Sequence, residues 1–305
     1  MIIDAHAHIY EYLKPYGPQG EGRAIGKGKI RWPDGREEQF FPECYGDTGF
    51  HPEVLLRLMD EAGIDMAVLL QAPNYGFQND YVAETVRAYP KRFSGACTFD
   101  PYARGAMHLF RHFTEVCQFR ILKFEISEDW GLSGIHPGLS LSDPLFDPVW
   151  DHAQQTHTAV IIDTGLRNTQ SWKLYPVVRV KQHFPELRFV IAHALFPCGD
   201  GFNDMRLAML SEIADGNVFF DISNIISPGD PYPYRRYQEF LRRLCDRVGA
   251  DHMIWGTDLP GTLLSRSYQE MLHHLRDGRY FSDEELKYIL GDTAAYAYRI
   301  PVNKN

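Results

Sequence analysis

Eight short apolar runs, spread along the whole chain, limit its fold more than any other feature. They are Ile2–His8, Met66–Gln71, Ser94–Phe99, Arg120–Glu125, Ala159–Asp163, Phe189–His193, Val218–Ile222 and His252–Thr257. After the first gap they begin about every 25–40 residues, the spacing of repeated strand–helix units. Most are apolar on both faces, as in Ala67-Val68-Leu69-Leu70 and Ala159-Val160-Ile161-Ile162. Parallel strands covered on both sides require that composition. Helical patterns fill the intervals. Residues 53–62 put Val54, Leu55, Leu58 and Met59 on one stripe, starting after Pro52 and stopping at Gly63. Residues 80–89, 146–157, 170–184, 204–214, 234–248, 268–276 and 283–290 read the same way. The expected fold is α/β, a (β/α)8 TIM barrel made of residues 1–305 as one domain. An open doubly wound sheet ranks second, because no Gly-x-Gly-x-x-Gly follows the first run.

Composition excludes several classes of function. Of 305 residues, 44% are hydrophobic and 23% charged, ordinary for a chain with a sizeable core. The net charge of −9, without basic runs, speaks against nucleic acid and anionic membranes as partners. No apolar run is long enough for a transmembrane helix, and the start Met-Ile-Ile-Asp does not read as a signal peptide. Cys44, Cys97, Cys117, Cys198 and Cys245 are scattered, which reads as reduced thiols in a cytoplasmic protein.

The segment Tyr10–Phe50 is far longer than an ordinary connection between a barrel strand and its helix. Short runs around Pro33-Asp34-Gly35 read as a hairpin. Tyr10, Tyr12, Tyr16, Trp32, Phe40, Phe41 and Tyr45 are too many aromatics for a solvated linker. The segment is expected to cover the barrel mouth as a lid and to supply part of a homodimer contact. A plain surface excursion is the alternative.

Polar residues end several of the apolar runs. His6-Ala-His8 ends the first, Lys123-Phe-Glu125 the fourth, Asp163 the fifth, His193 the sixth and Thr257-Asp258 the eighth. Residues two apart on a strand share a face, so His6 and His8 project together. A lone His-x-His is weak among 13 histidines. Five strand ends on one barrel face, all carrying ligand-type groups that need a buried partner, are stronger. Bland readings remain beside the metal. Glu125 could pair with Lys123, Asp163 could accept from a ligating histidine, and Asp221, Ser223 and Asn224 could be hydrogen-bonding loop residues. His136, His152, His157, His183, His252, His273 and His274 read as surface or packing residues. Trp130, Tyr75, Arg167 and Asn224 follow strands, and with Lys123 they are candidate substrate contacts.

Taken together, these motifs resemble the metal-dependent amidohydrolase superfamily, in the amidohydrolase-2 branch that includes aminocarboxymuconate semialdehyde decarboxylase. The resemblance runs from Ile3-Asp4-Ala-His-Ala-His8 through Ile191-Ala-His193 and Trp255-Gly-Thr-Asp258 to Ile289-Leu-Gly-Asp-Thr-Ala-Ala295. It implies His6 and His8 as metal ligands and Asp258 as a ligand or proton acceptor. It also implies His193 as a further ligand or catalytic acid/base. Many relatives carry His-Thr-Gly where this chain has Asp163-Thr-Gly. Glu125 is therefore expected as the extra ligand, ahead of Asp163. The expected cofactor is a divalent metal, zinc first and manganese second. The expected activity is hydrolysis of a small ester, lactone or amide by metal-activated water, with Asp258 moving the proton and His193 polarising the electrophile. A non-oxidative decarboxylase or other lyase is the alternative, and a non-catalytic binding barrel is third.

Overall fold

The computed structural model describes residues 1–301 except 168, 198–199 and 225–228, and leaves out the side chain of residue 170. Cys198 therefore lies outside the described residues. All eight expected runs form strands: β1 Ile3–Ala7, β2 Met66–Leu69, β3 Phe93–Gly95, β4 Ile121–Glu125, β5 Ala159–Asp163, β6 Phe189–Ile191, β7 Val218–Asp221 and β8 Met253–Ile254. Neighbours pair in parallel in two arcs, β1-β2-β3 and β8-β7-β6-β5-β4. Backbone hydrogen bonds join the arcs at both seams. Cys97 N donates to Ile121 O at 3.0 Å, and Lys123 N to Cys97 O at 2.9 Å. Opposite them, Ala5 N donates to Trp255 O at 3.1 Å. The ring is a TIM barrel, as the strand spacing implied.

Apolar side chains fill it in two layers. Ile3, Ala5, Val68, Ala96, Ile161, Val190, Phe219 and Ile254 pack inside the ring. Alternate residues such as Leu69, Phe124, Ile162 and Phe220 pack outward with helix residues. The helix Pro52–Ala62 shows how sequence sets this layer. Pro52 opens it, Leu55, Leu58 and Met59 are buried, and Gly63 ends it at φ +71°. Only glycine takes that conformation without strain. At the barrel bottom, Ala294, Ala295, Ala297 and Tyr298 join the inner layer.

Every strand but β5 is shorter than its apolar run. Past Gly95, Ile191 and Ile254 the chain leaves the ladder. At β6 the cause is visible in the backbone: His193 and Ala194 take φ of +55° and +42°. The turn re-aims the histidine side chain instead of continuing the strand.

The long segment after β1 forms more than a hairpin. Arg23–Gly26, Lys29–Arg31 and Glu37–Gln39 make a three-stranded antiparallel sheet, with Pro33-Asp34-Gly35 in its second turn. A bridge between Tyr10 and Phe50 closes its base. Tyr10, Trp32 and Phe41 are buried, but Tyr12 and Tyr16 are 44% and 47% exposed. The expectation that all its aromatics bury therefore fails at those two.

Candidate active site

The polar ends of the strands converge at the C-terminal face of the barrel. β1 reaches it through a bulge. Asp4 pairs with Ala67 and Ala7 with Leu69, so β1 carries one extra residue over that interval. A bulge re-aims the side chains that follow. Ile3 and Ala5 face the inner core, and beyond the bulge His6 and His8 both face the site. Their ring centroids are 5.1 Å apart.

Asp4 anchors this strand end. It is fully buried and accepts from Thr257 Oγ1 at 2.6 Å, Tyr268 OH at 2.7 Å and Thr257 N at 3.0 Å. Burial pushes its carboxyl up to about 6 against the pull of these donors. Gly256 lets β1 and the segment after β8 touch: a Cβ there would lie 2.7 Å from the Cβ of His6.

Three imidazoles share one arrangement. His6 Nδ1 lies 2.5 Å from Asp221 Oδ2, His8 Nδ1 2.9 Å from Leu70 O, and His193 Nδ1 3.0 Å from Ser223 O. Each acceptor draws the ring proton to Nδ1 and leaves Nε2 as the inward atom. The Nε2 atoms of His6 and His8 lie 3.5 Å and 3.0 Å from Asp258 Oδ1. One ligand atom each from His6, His193 and Asp258 lie within 4.8 Å of one another. Asp258 is set by a left-handed backbone, φ +61°, and by Asn224 Nδ2, 2.7 Å from its Oδ2.

Charge reinforces the geometry. Burial lowers His6, and lowers His8 to about 4, so both rings are neutral near pH 7. Burial would raise Asp258, but His8 and His6 beside it hold the carboxylate well below its usual range. Burial also opposes charge on His193, yet the Asp163 carboxylate, 3.1 Å from Nε2, raises it to about 10.

β4 and β5 build a different cluster. Lys123 is buried, with Nζ 3.7 Å from Glu125 Oε2, 3.7 Å from Asp163 Oδ2 and 3.4 Å from His6 Nε2. Burial disfavours its charge, but Asp163 and Glu125 more than compensate and raise it. Burial and the neighbouring Asp163 push Glu125 well above the usual carboxyl range. Asp163 stays well below it, held there against burial by His193.

Several expectations change here. The group within 4.8 Å holds neither Glu125 nor His8: Glu125 faces the ammonium of Lys123, whereas His8 still meets Asp258 through Nε2. Asp163 likewise turns to His193 and Lys123. His193, expected as a further ligand or the acid/base, stands inside the group. Arg167 is not a cavity residue: its Nε meets Asp200 at 3.1 Å and its guanidinium lies over Phe202. Asn224 orients Asp258. Asp221, set aside as a loop hydrogen-bonding residue, ends β7 and fixes His6; its signal was the same apolar-run-to-acid pattern as Asp163. His152 and His274 bind Thr114 and Gln238, as packing histidines do.

A cavity of about 320 Å³ opens above these groups, lined by Lys123, Glu125, Asp163, His193 and Asp258 at its floor and by Tyr75 and Trp130 among others. Glu38, Gln39 and Phe40 of the long segment also line it. Phe40 packs against both Tyr75 and Trp130, with ring centroids 6.2 and 6.3 Å away.

A family model described as Amidohydrolase matches residues 3–300. The L-fucono-1,5-lactonase of Burkholderia ambifaria is 28% identical over 191 residues, 57% of this chain and 64% of that protein. The match thus spans just under two thirds of the relative's length. An amidohydrolase from Burkholderia multivorans with bound zinc superposes at a TM-score of 0.70 with 18% identity, covering 99% of this chain and all of the other. The 5-carboxyvanillate decarboxylase of Sphingomonas paucimobilis superposes at 0.59 with 20% identity, covering 81% and 82%.

Proposed function

The chain belongs to the amidohydrolase family, and on that premise we propose that it is a divalent-metal hydrolase that opens a small ester, lactone or amide. One observation carries this reading: two buried imidazoles, His6 and His8, with Nδ1 tied to acceptors turn Nε2 toward the Asp258 carboxylate, and His193 stands beside them. That donor set fits zinc, with manganese second. His6, His8 and Asp258 would hold the ion, with His193 as fourth donor once its Nε2 gives up its proton. The zinc reported for the Burkholderia multivorans protein and the lactonase activity of the Burkholderia ambifaria protein point the same way.

When bound, the ion supplies Lewis acidity and brings the pKa of the attacking water toward about 7. The chain's own groups do the rest. Asp258 accepts the water proton, its carboxylate steered by Asn224. Lys123, an ammonium buried at the cavity floor, faces negative charge growing on the carbonyl oxygen. Glu125, kept protonated by burial beside Asp163, hands a proton to the leaving oxygen or nitrogen. The sheet at the mouth sheds water from the site.

No described helix is long and apolar enough to cross a membrane. A cytoplasmic location is proposed from the scattered cysteines, and a homodimer from the aromatic segment at the mouth. The test of function is product identity. Zinc-loaded protein should release carboxylic acid from simple lactones or esters, followed by pH-stat, or carboxylate and amine from simple amides, followed by amine detection. Release of CO₂ from carboxylated aromatics without acid release from any of these would overturn hydrolysis in favour of decarboxylation.

A further inference from the structure

Four consecutive residues, none of them glycine, take left-handed backbone: His193, Ala194, Leu195 and Phe196, with φ of +55°, +42°, +62° and +50°. A Cβ disfavours that region, and the residues that do visit it do so singly, not as a whole turn. Such a run persists only where its surroundings over-determine it. What holds it matters, because the turn delivers two residues to the site. His193 stands in the ligand-type group, and Phe196 lines the cavity with its ring centroid 4.2 Å from that of His193.

The turn is gripped at one atom, the carbonyl oxygen of Leu195. Arg206 Nε donates to it at 2.9 Å and Trp172 Nε1 at 3.3 Å, and all three residues are buried. Arg206 comes from the helix Asn203–Ile213 and Trp172 from the short turn Gln170–Trp172 after β5. Arg206 is itself fixed. Its Nη1 reaches Asp200 Oδ1 at 2.6 Å and Asn203 Oδ1 at 3.2 Å, and its Nη2 reaches Asp200 Oδ2 at 2.9 Å. The two-pronged pairing matches the buried charge and leaves Nε for Leu195. Rotating the turn toward right-handed values would swing the carbonyl away from both donors. Two buried N–H groups would then lack an acceptor, which is far costlier than losing an exposed bond. Arg206 does not line the cavity, and no step of the hydrolysis above uses it.

We propose that Arg206 is a positioning residue for His193: through the Leu195 carbonyl it holds the left-handed turn that delivers the imidazole to the site. The planar fork does this, not the charge alone. The hydrolase reading enters only through the part His193 plays; the positioning itself belongs to the metal-free protein.

The full chain, metal-free and carrying ¹⁵N-labelled histidine, is read by NMR at its imidazole N–H resonances. His193 Nδ1 lies 3.0 Å from both the carbonyl and the hydroxyl oxygen of Ser223, and its resonance is assigned by its loss in His193→Gln. His8 and His252, with Nδ1 at Leu70 O and Val218 O, serve as controls. Arg206→Gln should shift the His193 resonance or lose it to solvent exchange and leave both controls in place. Arg206→Lys keeps a charge without the fork and should behave like Arg206→Gln. Adding Ala194→Gly to Arg206→Gln lowers the cost of the left-handed turn and should restore the His193 resonance in part. An arginine that merely anchors its own helix would not be rescued from inside the turn. Zinc affinity, read by competition with a chromophoric chelator, should fall about 10-fold in Arg206→Gln and recover with the resonance.

An unchanged His193 resonance in folded Arg206→Gln, equal disturbance of the two controls, parent behaviour in Arg206→Lys, or no rescue by Ala194→Gly each overturns the proposal. If Arg206→Gln does not fold, Trp172→Phe decides: it removes only the second donor to Leu195 and should shift the His193 resonance alone, and no shift overturns the proposal. Loss of the resonance at unchanged zinc affinity upholds the positioning and overturns His193 as a metal donor.

Discussion

Two halves of the barrel mouth carry similar residues and resolve them in opposite ways. On the side of β1, β6 and β8, each imidazole is satisfied at Nδ1 from behind; Nε2 of His6 and His8 turns toward Asp258, and that of His193 meets Asp163. On the side of β4 and β5, Lys123, Glu125 and Asp163 answer one another. A buried charge without a partner is costly, so the two halves have different needs. The first holds two neutral imidazoles, His6 and His8, whose free lone pairs meet a carboxylate and leave room for a cation. The second already contains its cation. The lesson is that ligand-type residues at strand ends do not all become ligands; what stands behind each side chain decides.

The largest effects should separate these halves. His6→Ala and Asp258→Asn should each strip the metal and lower kcat/KM by about 10³-fold or more. Retained metal with little loss of rate would erase the distinction. Next, Glu125→Gln should lower kcat by about 10²-fold while metal content stays unchanged. Loss of metal in that variant would move Glu125 into the coordinating half. A smaller effect sharpens the role of the groups behind the imidazoles. Asp221→Asn should weaken metal affinity by about 10–100-fold, with activity recovering at high metal concentration. Unchanged affinity would make the contact between His6 and Asp221 mere packing.

The smallest effect contrasts the site with a histidine that has no inward space to face. His274 is buried against Gln238, and burial lowers it to about 3. Its folded pKa is below its unfolded one, so its contribution is complete above about pH 6.5 and is lost as pH falls toward 3. Thermal unfolding between pH 7 and 4.5 should therefore show a shallower acid loss for His274→Gln than for the parent chain. Equal slopes would assign acid sensitivity elsewhere.

Much of this was legible in the sequence, for identifiable reasons. The eight strands announce themselves because parallel barrel strands are apolar on both faces. His6, His8, His193 and Asp258 stood out because each ends such a run. The bulge in β1 was not legible. It depends on how β1 pairs with β2, yet a spacing of two residues kept His6 and His8 together beyond it. The relation of Glu125 to Lys123 was visible as an alternative, but choosing between ion pair and ligand needs the distance of Lys123 to each neighbour. Arg167 shows the limit of position alone. It follows β5 as a substrate contact might, but Asp200, distant in sequence, draws it outward. Glu38 carried no signal, because a cavity shared between the segment after β1 and the strand ends exists only once the chain is folded.

Metal content of the active protein tests the division most directly. Elemental analysis of the purified chain, alongside activity before and after chelation, should find about one divalent ion per chain, with activity lost on chelation and restored by zinc or manganese. Glu125→Gln should keep that ion and His6→Ala should lack it. Full activity in protein containing no divalent metal would contradict the reading of the imidazole half as a metal site.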